Sequence, residues 1–230
     1  MRSAALLCLL GACTGSAGAE LDVDAGADTD AMPDGPALPT ADELRQRVAG
    51  CAMELGGPYA PGSGQPADIS ICGFPGAVVW RADLDVDCDG KETAQCNPQT
   101  DPYFMNQTAA NDSNGDPLDA AALPFVVVPG PSMRFDFRDA GLGMGMVVAV
   151  VFEDRVEYGP LGDVGPAAYI GEASYAMAAA LGIDPDPATG GTAGEVTYIA
   201  FTEAELATIE DHAAAVELGV TRARDLLAAP

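Results

Sequence analysis

The chain has 230 residues, and its 35 acidic side chains outnumber its 10 lysines and arginines, for a net charge of −25. Such a charge repels nucleic acid and anionic membranes and attracts polycations, so we expect no nucleic-acid partner. Solubility or adaptation to salt explains the same charge equally well. The single histidine, His212, and the lack of a Cys-x-x-Cys pair argue against a zinc site and against a histidine-dependent nucleophile. We therefore predict no metal and no cofactor, and we expect a monomer.

The start of the chain indicates export. Met1-Arg2 is a minimal positive region, and the apolar run that follows is too short for a permanent membrane span. Leu10-Gly11-Ala12-Cys13 matches a bacterial lipobox, so residues 1–13 are predicted to be a lipoprotein signal with Cys13 lipidated. The alternative is an ordinary cleaved signal in which Cys13 is incidental. Either way we expect an exported protein, in the cell envelope or outside the cell.

Residues 14–40 have few large apolar side chains and many acids. Such a segment buries too little surface to offset its conformational entropy, so it is predicted to be a disordered acidic linker. Residues 41–230 have a globular composition and are enough for one domain with a sizeable core.

Short apolar segments separated by Pro, Gly and Asp predict a mainly β domain with flanking helices, built on a small six-stranded barrel. The predicted strands are 69–72, 76–82, 124–128, 133–137, 145–152, 156–158 and 196–201. Thr40 with Glu43 forms a capping box that predicts a helix over 40–55. A second such box at Thr202 predicts a helix running towards Leu227.

Four cysteines fall in the globular part: Cys51, Cys72, Cys88 and Cys96. An even number in an exported protein predicts two disulfides, with three possible connectivities. The short loop between Cys88 and Cys96 favours that pair, which leaves Cys51 to bond Cys72.

The segment 158–183, YGPLGDVGPAAYIGEASYAMAAALGI, contains two acids nine residues apart, each directly after a glycine. After the second acid the pattern predicts a short helix ending at Gly182. Glu172 would then lie in the first helical turn, where the helix dipole favours its ionised form. From the spacing alone, Asp163 as a turn residue and Glu172 as a helix-start acid explain the pattern better than a catalytic site does.

A second acidic segment, Asp83-Leu84-Asp85-Val86-Asp87-Cys88-Asp89-Gly90, alternates so that Asp83, Asp85 and Asp87 share one face if it is extended. Residues 85–90 also match the opening of an EF-hand calcium loop. The match is partial, because Cys96 stands where the bidentate acid is expected. A hydrogen-bonded turn closing on a disulfide and a substrate-binding strand are the alternatives.

Blocks on both sides of these acids resemble a known family. They are WRADLDVDCDGKETAQCNPQTDPYFMNQTA (80–109), PLDAAALPFVVVP (117–129), GDVGPAAYIGEASYAMAAALGI (162–183) and GEVTYIAF (194–201). In this order they resemble the chitosanases of glycoside hydrolase family 75. The resemblance implies endo-hydrolysis of the β-1,4 bonds of chitosan with inversion. It implies that Asp163 and Glu172 are the essential pair.

The 158–183 segment also resembles double-psi β-barrels, including expansins and rare-lipoprotein-A-type proteins. This supports a double-psi barrel fold and supplies the alternative function, a non-catalytic polysaccharide-binding envelope lipoprotein. Retention of both acids favours the enzyme.

The chemistry of an inverting glycosidase assigns roles to the candidate side chains. An inverting glycosidase needs a general acid and a general base about 6.5–9.5 Å apart. Glu172 is the better general acid because glutamate has the higher reference pKa, although a helix start would oppose that role. Asp83, Asp85 and Asp87 are predicted to contact glucosamine ammonium groups, and one of them is an alternative base. Trp80, Tyr103 and Tyr158 are the predicted sugar-stacking aromatics, and burial of all three in the core is the equal alternative.

Overall fold

The computed structural model describes residues 37–51 and 53–230. The predicted signal, Cys13 and the linker up to residue 36 lie outside the described residues. The elements of the described part are α1 Ala41–Arg47, β1 Glu54–Tyr59, β2 Ile69–Phe74, β3 Ala77–Asp87, β4 Val126–Pro129, β5 Met146–Phe152, β6 Arg155–Gly165, β7 Glu172–Ser174, α2 Tyr175–Leu181, β8 Thr192–Glu205 and α3 His212–Ala228. No helix in this part is long and apolar enough to span a membrane.

The strands close into a barrel. The sheet runs β1-β2-β3-β7-β4-β6-β5-β8, and β8 also pairs with β3, so the six strands from β3 to β8 form a closed ring. The β1–β2 pair extends the sheet from β3. This confirms the predicted six-stranded barrel with flanking helices. Closure leaves no free edges on these six strands.

The ring has an internal two-fold pattern. Exchanging β3, β4 and β5 for β6, β7 and β8 reproduces the same strand order around the barrel. The two parallel pairs, β3–β7 and β4–β6, flank the antiparallel β4–β7 pair. This is the arrangement expected of a double-psi barrel.

Alternation along the strands divides the buried side chains into two sets. One set fills the barrel and includes Trp80, whose ring stacks on Tyr198 with 5.2 Å between centroids. The other set lies between the outside of the barrel and helices α1 and α3. The inward residues Ala82 and Leu84 place the intervening acids of β3 on the outer face.

Helix α1 begins and helix α2 ends where the sequence predicted, but α1 is shorter than predicted. The capping box of Thr40 and Glu43 is present, but α1 stops at Arg47 and Leu55 lies in β1 instead. Helix α2 begins after the N-cap Ser174 and ends at Gly182, whose φ of 74° is left-handed, as predicted.

Two predicted elements are wrong. The helix predicted from Thr202 is strand as far as Glu205, because β8 pairs with both β3 and β5. The helix begins only at His212, after Asp211 caps it by accepting from the Ala214 N–H. Residues 133–137 form no strand. Tertiary pairing decided the first case against the local pattern.

Both disulfides are present with the expected pairing. Cys51 bonds Cys72, and Cys88 bonds Cys96 across a sequence separation of 8. The second bond is fully buried and closes the loop that follows the acidic strand β3.

Candidate active site

The acids of β3 lie beside Glu172 on one outer face of the barrel. Strands β3 and β7 are parallel, and Asp85 is in register with Glu172. Paired residues in neighbouring strands point to the same face, so Asp83, Asp85, Asp87 and Glu172 share a surface. The predicted alternation of the β3 acids is therefore present.

Asp163 reaches the same face through a β-bulge. Val126 pairs with Leu161, but the next residue, Val127, pairs with Asp163, so Gly162 is the extra residue in β6. The bulge shifts the alternation by one, and Asp163 points outward although Leu161 points into the barrel. A Cβ at Gly162 would lie 2.7 Å from Phe125 Cγ, so only glycine fits there.

The two proposed catalytic acids stand opposite each other across β4. Val127 is the register partner of Asp163 on one side and of Glu172 on the other. Two strand spacings separate the backbones by about 10 Å. Glu172 leans towards β6, because a Cβ on Gly165 would collide with Glu172 Oε2. The carboxyl groups can therefore stand at the separation of an inverting glycosidase, about 6.5–9.5 Å.

Glu172 is a strand residue, which corrects the predicted position in a helix. It opens β7, and the helix begins three residues later at Tyr175. From the sequence we expected a helix dipole to oppose protonation of Glu172. Because Glu172 precedes the helix, that expectation does not apply. Burial, with the nearby Asp85 and Asp163 carboxylates, raises the pKa of Glu172 to about 7.

Asp163 is 7% exposed and accepts two backbone hydrogen bonds. The N–H groups of Ala109 and Val164 each donate to its Oδ1 at 2.7 Å. Burial raises the pKa of Asp163, and the two donors oppose that rise by stabilising the carboxylate. Glu172 has no such donor among the described residues, so its surroundings favour the protonated form more strongly than those of Asp163 do.

Two further acids, Asp87 and Asp89, form a cluster with Asp163. Carboxylate oxygens of Asp87, Asp89 and Asp163 lie within 4.8 Å of one another, close enough to ligate one cation. Burial raises the pKa of Asp89 to about 6 and that of Asp87 well above its ordinary value. Residues 77–87 form a continuous strand through the first half of the EF-hand match, so these residues do not adopt an EF-hand loop. Calcium binding at this segment stays a hypothesis.

The structure corrects two of the predicted stacking aromatics. Trp80 is 2% exposed inside the barrel, and Tyr158 is 5% exposed and packed against Gly219 of α3, so neither ring can meet a sugar. Tyr103 is 87% exposed. Its loop is held beside the acids, because Asp89 accepts a hydrogen bond from the Met105 N–H.

Several residues of the face were not assigned from the sequence. Asp89 adjoins Asp163, and Gly165 makes room for Glu172. Glu195 lines a cleft of about 520 Å³ together with Asp83 and Asp85. All three lie in the blocks that resemble the family, Asp89 in 80–109, Gly165 in 162–183 and Glu195 in 194–201, and that position was the available signal.

A carboxyl group with a pKa near neutrality opposite a carboxylate that accepts hydrogen bonds is the acid–base arrangement of a glycoside hydrolase. Residues 84–224 match the family model described as fungal chitosanase of glycosyl hydrolase group 75. An Aspergillus oryzae endo-chitosanase is 32% identical over 176 residues, which are 67% of this chain and 72% of that protein. Endo-chitosanase B of A. oryzae is 34% identical over 127 residues, covering 52% and 53%. An A. fumigatus endo-chitosanase is 29% identical over 141 residues, covering 56% and 59%. The chain belongs to glycoside hydrolase family 75.

Proposed function

We propose that the protein is an endo-chitosanase that hydrolyses the β-1,4 bonds of chitosan with inversion, using Glu172 as general acid and Asp163 as general base. One observation carries the proposal: the two residues flank Val127 at the same level, and only Asp163 accepts hydrogen bonds that stabilise its carboxylate. The relatives named endo-chitosanases support the choice of substrate.

In this mechanism protonated Glu172 donates its proton to the glycosidic oxygen as that bond breaks. Asp163 takes a proton from a water molecule that attacks the anomeric carbon from the opposite side of the ring. The hydrogen bonds from Ala109 and Val164 hold the base in position and favour its ionised form. After one turnover the acid is ionised and the base is protonated, and solvent restores both.

The charge of the site suits a polycationic substrate. Asp83, Asp85, Asp87 and Asp89 lie on or beside the same face as the pair, and burial raises the pKa of each. A glucosamine ammonium would offset the cost of ionising these buried groups. Repulsion among the same carboxylates would disfavour anionic polysaccharides.

We also propose that Cys13 is lipidated and that residues 14–40 tether a monomeric domain to the envelope. The lipobox and the composition of the linker support this. Labelling of cells with a radioactive fatty acid, comparing the wild type with Cys13→Ser, tests it. Incorporation in both proteins would contradict lipidation at this residue.

The enzymatic proposal is tested by incubating the purified protein with chitosan and with chitin, and following viscosity and product masses. We expect a rapid fall in the viscosity of chitosan and oligosaccharides with new reducing ends. Binding to chitosan without soluble product would support the non-catalytic envelope protein instead, since the acidic surface alone can hold a polycation.

A further inference from the structure

A cleft lies next to the proposed catalytic pair, on the side of Glu172 away from Asp163. It has a volume of about 520 Å³ and is lined by β3, by the start of β8 and by the loop before β2. Asp85 lines it and is the register partner of Glu172, so the cleft begins one strand, about 4.8 Å, from the general acid. This distance is within the length of one sugar unit.

Three acids and one cation line the cleft. Asp83 and Asp85 come from β3, and Glu195 comes from the exposed start of β8 on the other side. Arg81 is the cation, and its guanidinium donates a hydrogen bond to the Val48 carbonyl beyond the C-terminal end of α1. With three carboxylates and one guanidinium, the side chains that line the cleft are predominantly acidic.

One oxygen of Asp83 is poorly satisfied. Its Oδ1 is buried and has no hydrogen-bond partner among the described residues. It packs against Gly171, where a Cβ would overlap it, so the side chain is confined between the cleft and the strand that carries Glu172. A buried carboxylate oxygen without a donor is unfavourable, and the charge of a cation bound in the cleft beside Asp83 would offset part of that cost.

We propose that this cleft is a sugar subsite in which Asp83, Asp85 and Glu195 bind the ammonium group of an unacetylated glucosamine and discriminate against N-acetylglucosamine. An acetamide carries no charge to offset the three carboxylates and offers one N–H donor where an ammonium offers three. It also adds an acetyl group to the space beside Asp83. A site built around polar partners rejects an analogue that leaves them unpaired.

This inference rests on the proposed function and makes Glu195 a specificity-determining residue. Partially acetylated chitosan is digested by the wild type, Glu195→Gln, Asp83→Asn and Glu205→Gln. Glu205 is an exposed acid at the other end of β8, so its variant controls for the loss of one negative charge. The residues at the new chain ends are identified by mass spectrometry, and kcat and KM are measured on fully deacetylated chitosan.

We expect one of the two new chain ends in the wild-type products to carry almost only glucosamine, at the sugar unit that this cleft had bound. This end is the reducing or the non-reducing one. Glu195→Gln and Asp83→Asn should admit N-acetylglucosamine there and raise KM about tenfold, the effect of losing one charged hydrogen bond. Glu205→Gln should match the wild type. Unchanged ends and KM in both cleft variants would overturn the subsite and leave the chitosanase proposal intact.

A binding measurement separates the two proposals. A glucosamine hexamer is titrated into Glu172→Gln and into Glu172→Gln with Glu195→Gln, and the affinities are compared. We expect about tenfold weaker binding by the double variant. Equal affinity would refute the subsite even if the wild type proves not to cleave chitosan, and that failure would refute only the proposed function.

Discussion

Replacing Glu172 by glutamine should abolish hydrolysis and, at the same time, stabilise the protein at alkaline pH. The ordinary pKa of glutamate is 4.5, and burial together with the neighbouring carboxylates raises that of Glu172 to about 7. At 1.36 kcal/mol for each unit of pKa, ionising this group in the folded protein costs about 3 kcal/mol. A neutral amide of the same shape avoids that cost.

The folded protein binds a proton on Glu172 more tightly than the unfolded chain does. Between pH 4.5 and about 7 the folded protein holds a proton on Glu172 that the unfolded chain has released, so the free energy of unfolding falls as pH rises through this range. Above about pH 7 Glu172 is ionised in both states, and the folded protein bears the full cost of about 3 kcal/mol. At pH 4 the carboxyl is protonated in both states and the variant gains nothing.

The assay is chemical denaturation of wild type and Glu172→Gln at pH 4 and pH 8, with activity on chitosan measured in parallel. We expect equal stability at pH 4, a gain of about 3 kcal/mol for the variant at pH 8, and a loss of activity of at least about 100-fold. Exposed Glu205→Gln should change neither quantity. Equal or lower stability of Glu172→Gln at pH 8 would refute the raised pKa, and retained hydrolysis would refute its catalytic role.

Three further predictions concern other parts of the site. Asp163→Asn should keep the fold, because the amide oxygen still accepts the backbone hydrogen bonds, and should lower kcat at least about 100-fold; wild-type turnover would refute its role as base. Gly165→Ala should displace the general acid and lower kcat on the order of 100-fold with little change in Tm. The control Gly143→Ala, which has open space at its Cβ position, should change neither kcat nor Tm. Cys88→Ser with Cys96→Ser should cost about 2–3 kcal/mol in denaturant unfolding, and an unchanged midpoint would contradict a structural role for this disulfide.

The sequence predicted the fold where local signals agreed with tertiary pairing. The capping box at Thr40, the left-handed stop at Gly182 and the alternation of the β3 acids are local features, and all three are present. Turn residues between short apolar runs were enough to predict a small barrel. The extent of β8 was missed because the local capping pattern at Thr202 resembles a helix start, and the strand forms through pairing with distant β3 and β5.

The candidate site was predictable in its residues but not in its geometry. Nothing in the spacing of Asp163 and Glu172 shows that Gly162 is a bulge, and without the bulge Asp163 would point into the barrel. Trp80 was predicted to be a surface aromatic because sequence does not show which face of β3 meets the core. Glu195 lies 112 residues after Asp83 and reaches the cleft only through strand pairing.

We propose that two carboxyl groups on either side of β4 hydrolyse chitosan by a single displacement. Proton NMR of fully deacetylated chitosan during the first minutes of digestion tests it most directly, because it records the anomeric form of the new reducing ends before mutarotation. Cleavage of a β-bond with inversion should release the α-anomer first. First appearance of the β-anomer, or no new reducing ends, would contradict it.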